Sequence, residues 1–281
     1  MTTKRNFPDL NPDAIAGTRD TLHTYSLVMG EYLAAYRRRR KHWWHSSLRP
    51  CLEGLTTGVI HAQIDFELEL NLRHSQLRAR TWNGADLREE LHGQPATVLA
   101  QNIGDFLSTN GLDRALIPQN ASPVEEANSA YSAEVAGTLE SAWHAVNACM
   151  QEFRAGIREE TSPVQLWPHH FDLALMWLPG EKIPDQDPDD EENADKQMNF
   201  GFTLGDAGIP EPYFYVTAHP LPVAFSKLPL PKGTTWHTEG FSGAVLPYRS
   251  LLQNSDPGGY LLELWNALLS AGRKHMLTKT I

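Results

Sequence analysis

The sequence predicts an α+β protein with antiparallel sheets and long flanking helices. Three observations carry this. From Thr18 the residues Leu22, Tyr25, Met29, Tyr32, Leu33 and Tyr36 recur at spacings of three and four, the period of a helix of about five turns with one buried stripe. Between His61 and Asn71 the period changes to two, with Ile64, Phe66, Leu68 and Leu70 alternating against Asp65, Glu67 and Glu69, as in a strand with one wet face. Helical and strand-like stretches come in runs rather than in one-to-one alternation, which argues against a doubly wound parallel sheet.

Taken in order, a second strand is predicted over Gln76–Trp82. It reaches Asn83-Gly84, the dipeptide favoured in type I′ hairpins, and a third strand follows through Leu91. Helical spacing returns with Leu99, Ile103, Phe106 and Leu107, and Gly111 is placed to end that helix. Ser122-Pro123-Val124-Glu125 forms a capping box with proline at the first helical position. It opens a long region with a stripe of Val135, Leu139, Ala142, Val146, Met150, Phe153 and Ile157, which ends at Ser162-Pro163. Three β-like segments are predicted next, Val164–Leu178, Asn199–Leu204 and Tyr213–His219. Asp256-Pro257 then caps a last helix carrying Leu261, Leu262, Trp265, Leu268 and Leu269. Asp185–Asp195 (DQDPDDEENAD) has Ala194 as its one apolar residue, and a loop is expected there. The expected organisation is one compact unit over residues 1–281. The shared order of long helix, Trp- and His-containing strand, further strands and closing helix suggests two similar α+β halves, 13–120 and 121–281.

With 281 residues, 41% of them hydrophobic and 21% charged, the chain reads as globular, not collagen-like, coiled-coil or disordered. No run of 18 apolar residues offers a membrane span, and the first ten residues lack the apolar core of a secretory signal. A cytoplasmic location is therefore expected. Cys51 and Cys149 are too few for a disulfide framework. A net charge of −10 argues against nucleic acid as the main partner. The local exception is Arg37-Arg38-Arg39-Arg40-Lys41 at a helix end, which is either a solvated terminus favoured by the helix dipole or an anion-binding patch. The expected partner is a small-molecule ligand or substrate, with neither nucleic acid nor a membrane.

Histidine carries most of the chemical suggestion. Twelve are present, and two clusters stand beside tryptophan: His42-Trp43-Trp44-His45 and Trp167-Pro168-His169-His170-Phe171-Asp172. On a strand, His170 and Asp172 would share one face. His-x-Asp is the local half of a two-histidine, one-carboxylate site for non-haem iron, so His170 and Asp172 are candidate metal ligands. His237 is the candidate third ligand and His219 the alternative, with Arg249 as a carboxylate-binding partner in the oxygenase reading. Iron, manganese or zinc would be the cofactor. The competing reading is a buried histidine hydrogen-bonded to Asp172 for structural reasons. His45, His170 and Asp172 are the candidate catalytic residues, and His42, Trp44, Tyr213 and Tyr215 the candidate ligand contacts. Cys51 beside His45 reads either as a nucleophile or as an inert packed thiol. The chain lacks the serine-hydrolase elbow, the phosphate-binding loop and the dinucleotide fingerprint.

Several further motifs stand with these: Gly54-Leu55-Thr56-Thr57, Phe153-Arg154-Ala155-Gly156, Ser162-Pro163-Val164, Gly201-Phe202 and Pro212-Tyr213-Phe214-Tyr215. Together with the two histidine clusters they resemble the bacterial domain of unknown function 5996 family over nearly the whole chain. The resemblance brings no activity with it. It implies that His42, His45, Thr56, Thr57, Phe171, Asp172, Tyr213 and Tyr215 are motif positions, which adds Thr57 to the candidate ligand contacts. The functional expectation is a small-molecule enzyme with a His/Asp and aromatic-lined pocket, metal-dependent in one version. The alternative is a non-catalytic module that binds a small ligand or another protein.

Overall fold

The computed structural model describes residues 5–118 and 130–277. The capping box at 122–125 lies outside them. The chain divides into two compact units. Of the described residues, the N-terminal unit takes 13–118, 130–144 and 166–171, and the C-terminal unit takes 5–12, 145–165 and 172–277. Each is built on an antiparallel sheet with helices, as the α+β expectation requires.

In the N-terminal unit, helix α1 (Pro12–Tyr36) precedes the meander β1 (Arg49–Cys51), β2 (Gly54–Thr56), β3 (Phe66–Asn71), β4 (Gln76–Thr81) and β5 (Asp86–Glu90), whose strands pair in that order. The predicted stripe is the buried one: Leu22, Tyr25, Met29, Tyr32 and Leu33 have almost no exposed surface. Tyr32 and Tyr36 meet the ring of Phe66 edge-on at 6.0 and 5.6 Å, an arrangement that suits the aromatic quadrupole. The Tyr25 hydroxyl donates to the Gln94 carbonyl at 2.7 Å. Helix α2 (Ala96–Thr109) buries Leu99, Ile103 and Leu107, and Gly111 follows it with a positive φ of 110°. Helix α3 (Ala133–Ala155), whose residues through His144 belong to this unit and the rest to the C-terminal one, carries the predicted stripe of Leu139, Ala142, Val146, Met150 and Phe153.

Two local expectations change here. The strand predicted from His61 begins at Phe66 and is β3, because residues 61–65 bend and the His61 imidazole folds back on the Asp65 carboxylate at 2.9 Å. The β4–β5 connection is not type I′, since of Asn83 and Gly84 only Gly84 has a positive φ. The bonds Gly84 N–H to Thr81 O and Thr81 N–H to Ala85 O close a three-residue loop of Trp82-Asn83-Gly84, with the glycine in the left-handed position that such loops require.

In the C-terminal unit, β6 (Glu160–Thr161), β8 (Asp172–Leu178), β9 (Gln197–Thr203), β10 (Tyr213–His219), β11 (Thr235–His237) and β12 (Gly243–Pro247) form a sheet in the order β11-β12-β10-β9-β8-β6. A short β7 (Gln165–Trp167) precedes β8 in the chain, and a single turn α4 (Tyr248–Leu251) follows β12. Helix α5 (Pro257–Met276) starts as predicted, with the Asp256 carboxylate accepting from Gly259 N–H. Side chains alternate along each strand. One face gives Leu173, Leu175 and Trp177 from β8, Met198, Phe200 and Phe202 from β9, and Phe214 and Val216 from β10, all buried. Phe200 meets Phe153 of α3 at 4.8 Å, and Phe214 meets Trp265 of α5 at 6.3 Å, so this face is the core. Burying each such ring contributes roughly 2–3 kcal/mol. The opposite face carries Asp172, Ala174, Gly201, Thr203, Tyr213 and Tyr215.

The β-like segment predicted over Val164–Leu178 is two strands and a turn. Pro168 has no N–H to offer a ladder, and the chain reverses through residues 168–171, with His170 and Phe171 N–H both bonding to Trp167 O and Phe171 at a positive φ of 53°. His170 therefore lies in a turn and not on a strand, so the expectation that His170 and Asp172 share a strand face is overturned. Similarity of the two halves finds no support in the sheets: one is a simple meander, and the other places β10 between β9 and β12. The acidic stretch is a loop of turns in which Asp190 accepts from the Glu192 and Asn193 N–H groups, while Ala194 is buried. No described helix is long and apolar enough to cross a membrane.

Candidate functional site

Strands β8, β9 and β10 bring the sequence-named Asp172, Tyr213 and Tyr215 to one face, because Asp172 and Tyr213 both stand opposite Thr203 and Tyr215 stands opposite Gly201. The Tyr215 ring crosses β9 and donates its hydroxyl to the Asp172 carboxylate. Asp172 is only 6% exposed. Two residues back along β10, Tyr213 repeats the pattern and donates to Asp206 at 2.5 Å. Phe241, from the loop between β11 and β12, lies parallel to Tyr213 at 6.4 Å and edge-on to Tyr215 at 6.3 Å, and the His237 ring rests on Phe241 at 4.6 Å.

The electrostatics of these pairs follow from burial and charge. Burial, and then the Asp172 charge and hydrogen bond, push the Tyr215 phenol far above its ordinary pKa. Burial and Asp206 do the same to Tyr213. Both hydroxyls thus stay protonated and act as donors at neutral pH. Partial burial would raise Asp206, but the hydrogen bonds from Tyr213, Ile209 N–H and Gly208 N–H outweigh it and hold the carboxyl below its usual range. Asp206, Phe241 and Gly201 are parts of this arrangement that the sequence did not single out as site residues.

The predicted metal triad does not assemble. Asp172 is on β8 and His237 on β11, four strand positions away in the sheet order, or about 19 Å at the backbone. His219 is six residues along β10 from Tyr213, the residue level with Asp172, so it sits about 20 Å along the strands. Neither can share a first coordination shell with Asp172. His237 Nε2 pairs with Glu239 O at 2.6 Å, and Arg249 pairs with Glu211 at 3.1 Å instead of waiting for a ligand carboxylate. Among the described residues, no group of three or more His, Cys, Asp or Glu side chains stands at metal-holding spacing.

The remaining named residues lie in the N-terminal unit. His42 and Trp43 take positive φ values of 54° and 55° in a tight turn, and Trp167 Nε1 donates to His42 O at 2.9 Å, tying the two clusters together. His45 is buried and its Nδ1 accepts from Arg40 N–H. Trp43 stacks on His45 at 5.6 Å and tilts against His169 at 6.5 Å, and His169 meets His170 at 4.4 Å. His45 and His170 are thereby linked through two rings. Trp44 is half-buried, with the His42 ring 6.3 Å away. His23, which the sequence did not single out, stacks on Phe171 at 5.1 Å, and burial lowers its pKa. The Thr57 hydroxyl serves the backbone, donating to Gly58 O and accepting from Leu68 N–H, so it shapes a turn rather than a ligand contact. Cys51 and Cys149 are both free, and burial pushes both thiols up, Cys149 to about 11, which disfavours Cys51 as a nucleophile. A recess of about 560 Å³ between β5 and α2, lined by residues such as Leu87, Asn102 and Phe106, includes none of the predicted site residues.

A family model described as a family of unknown function (DUF5996) matches residues 7–276. No curated protein and no solved structure matches the chain.

Proposed function

We propose that the chain, which belongs to the DUF5996 family of unknown function, is a small-molecule enzyme of the acid–base type centred on Asp172 and Tyr215. One observation carries this reading: a buried carboxylate takes a phenol hydrogen bond on the sheet face opposite the core. Burying a charge is costly unless it is paired and hydrogen-bonded, and a structural sheet has no need of one. Buried titratable groups with strongly displaced pKa values concentrate where chemistry is done. In this reading Asp172 is the base that takes a proton from the substrate. Tyr215 steadies the carboxylate as a donor and remains protonated throughout. Tyr213 with Asp206 supplies a second donor–acceptor pair, and Phe241 an apolar wall beside it. Proton transfer is assigned to side chains and calls on no metal. The same arrangement would serve a non-catalytic binding module, and turnover separates the two.

The reading is tested by thermal-shift measurements with a panel of small alcohols, amines and carboxylic acids on wild type and Tyr215→Phe. A compound that raises the wild-type melting temperature and leaves the variant unmoved is the expected result. A compound that shifts both equally binds elsewhere, and a panel that shifts neither counts against a small-molecule site at these residues.

A further inference from the structure

We infer that the end of the N-terminal unit around the β4–β5 hairpin is a docking surface for an anionic membrane. Trp82, in that three-residue loop, is 87% exposed, a large apolar ring standing in water on a hydrogen-bonded turn. Val59 and Leu116 are also exposed, at 52% and 45%. Specific contacts bring them to one end. Trp82 N–H donates to Asp65 O, next to Phe66, and Phe66 packs against Tyr36. The Tyr36 hydroxyl donates to Leu116 O, and Arg37 Nη2 donates to Thr57 O two residues before Val59. At the same end α1 runs out into Arg37-Arg38-Arg39-Arg40-Lys41, of which Arg38, Arg39 and Arg40 are exposed.

Basic charge beside protruding apolar side chains matches a surface of lipid phosphates and carboxylates over a hydrocarbon boundary. The cations meet the headgroups while the tryptophan sits at their level. The basic run is local in a chain of net charge −10, so attraction is confined to this end and would orient the molecule. Nucleic acid is a poorer match, because of Trp82, Val59 and Leu116 only the first offers a ring for a base to stack on, while the aliphatic pair suits a hydrocarbon boundary. A tip standing proud of its hairpin suits a yielding lipid surface better than a folded partner, which would need a recess to receive it. The sequence set a membrane aside for want of a spanning segment, and a surface contact requires none.

Flotation of the full chain with phosphatidylcholine vesicles, with and without phosphatidylserine, tests this alongside a duplex oligonucleotide. The expected result is binding to phosphatidylserine vesicles alone, weakened by salt. Trp82→Ala should weaken it several-fold, and Arg38→Glu with Arg40→Glu should weaken it by about twenty-five-fold or more, at about fivefold per cation lost. These side chains are exposed, so both variants should melt with the wild type. No binding to either vesicle, binding indifferent to both variants, or binding to the oligonucleotide with the vesicles left bare would each overturn the proposal.

Discussion

The Tyr215 ring lies over the bare backbone of Gly201, and a Cβ at residue 201 would stand far inside van der Waals contact distance of its Cζ and hydroxyl oxygen. The missing side chain is what lets Tyr215 reach from β10 across β9 to Asp172 on β8.

Gly201→Ala should therefore cost roughly 1–3 kcal/mol by overpacking, read from urea unfolding. In a Tyr215→Ser background the same change should be nearly neutral, because the obstructing ring is gone. Equal cost in both backgrounds would show that the ring does not depend on the glycine.

Glu159 is held at about 2 by its two hydrogen bonds from Arg273, at 2.7 and 2.6 Å. Its folded pKa is depressed, so its stabilisation is present above the ordinary value of 4.5 and is lost as pH falls toward 2. Both side chains are partly exposed, and solvent screening limits the effect to about 1 kcal/mol. Glu159→Gln should flatten the acid limb of a stability–pH curve by that amount, measured by urea midpoints between neutral pH and acid. An unchanged limb would contradict the assignment.

His23 behaves oppositely in origin. Burial lowers its pKa from the ordinary 6.5, so the unfolded chain takes up the proton first. Stability should then decline as pH falls below 6.5 toward the folded pKa. His23→Phe keeps a ring stacked on Phe171 and removes the titration, and thermal melts from pH 7 downward should show a shallower decline for the variant than for wild type.

Replacing residues 186–193 with a short glycine-serine link should leave the melting temperature close to wild type, since closing a loop of altered length costs little. Extending the replacement through Ala194 should be visibly worse. Ala194 is buried and its carbonyl accepts from Ile183 N–H, so it belongs to the loop's anchored base.

The long helices and several strands were legible because their apolar residues keep a period, as in the α1 stripe and the alternating face of β3. Tyr213 and Tyr215 were named as ligand contacts, and their two-residue spacing on β10 puts them on one face. His170 and Asp172 were misplaced because two residues of separation give a common face only within a strand, and the Pro168 turn intervenes. Asp206 and Phe241 were invisible because loops deliver them, and loop trajectories leave no period in the sequence. Gly201 is legible only as half of the Gly201-Phe202 motif, since a residue whose role is to be absent carries no chemical signal of its own.

The most direct test of the proposed chemistry is turnover. Purified wild type, Tyr215→Phe and Asp172→Asn would be incubated with a cell metabolite extract and followed by mass spectrometry. The account predicts that wild type consumes at least one small metabolite and forms its product, with Asp172→Asn inactive and Tyr215→Phe slowed by one or more orders of magnitude while still folded. No metabolite changed by wild type, or equal change by all three proteins, would contradict it.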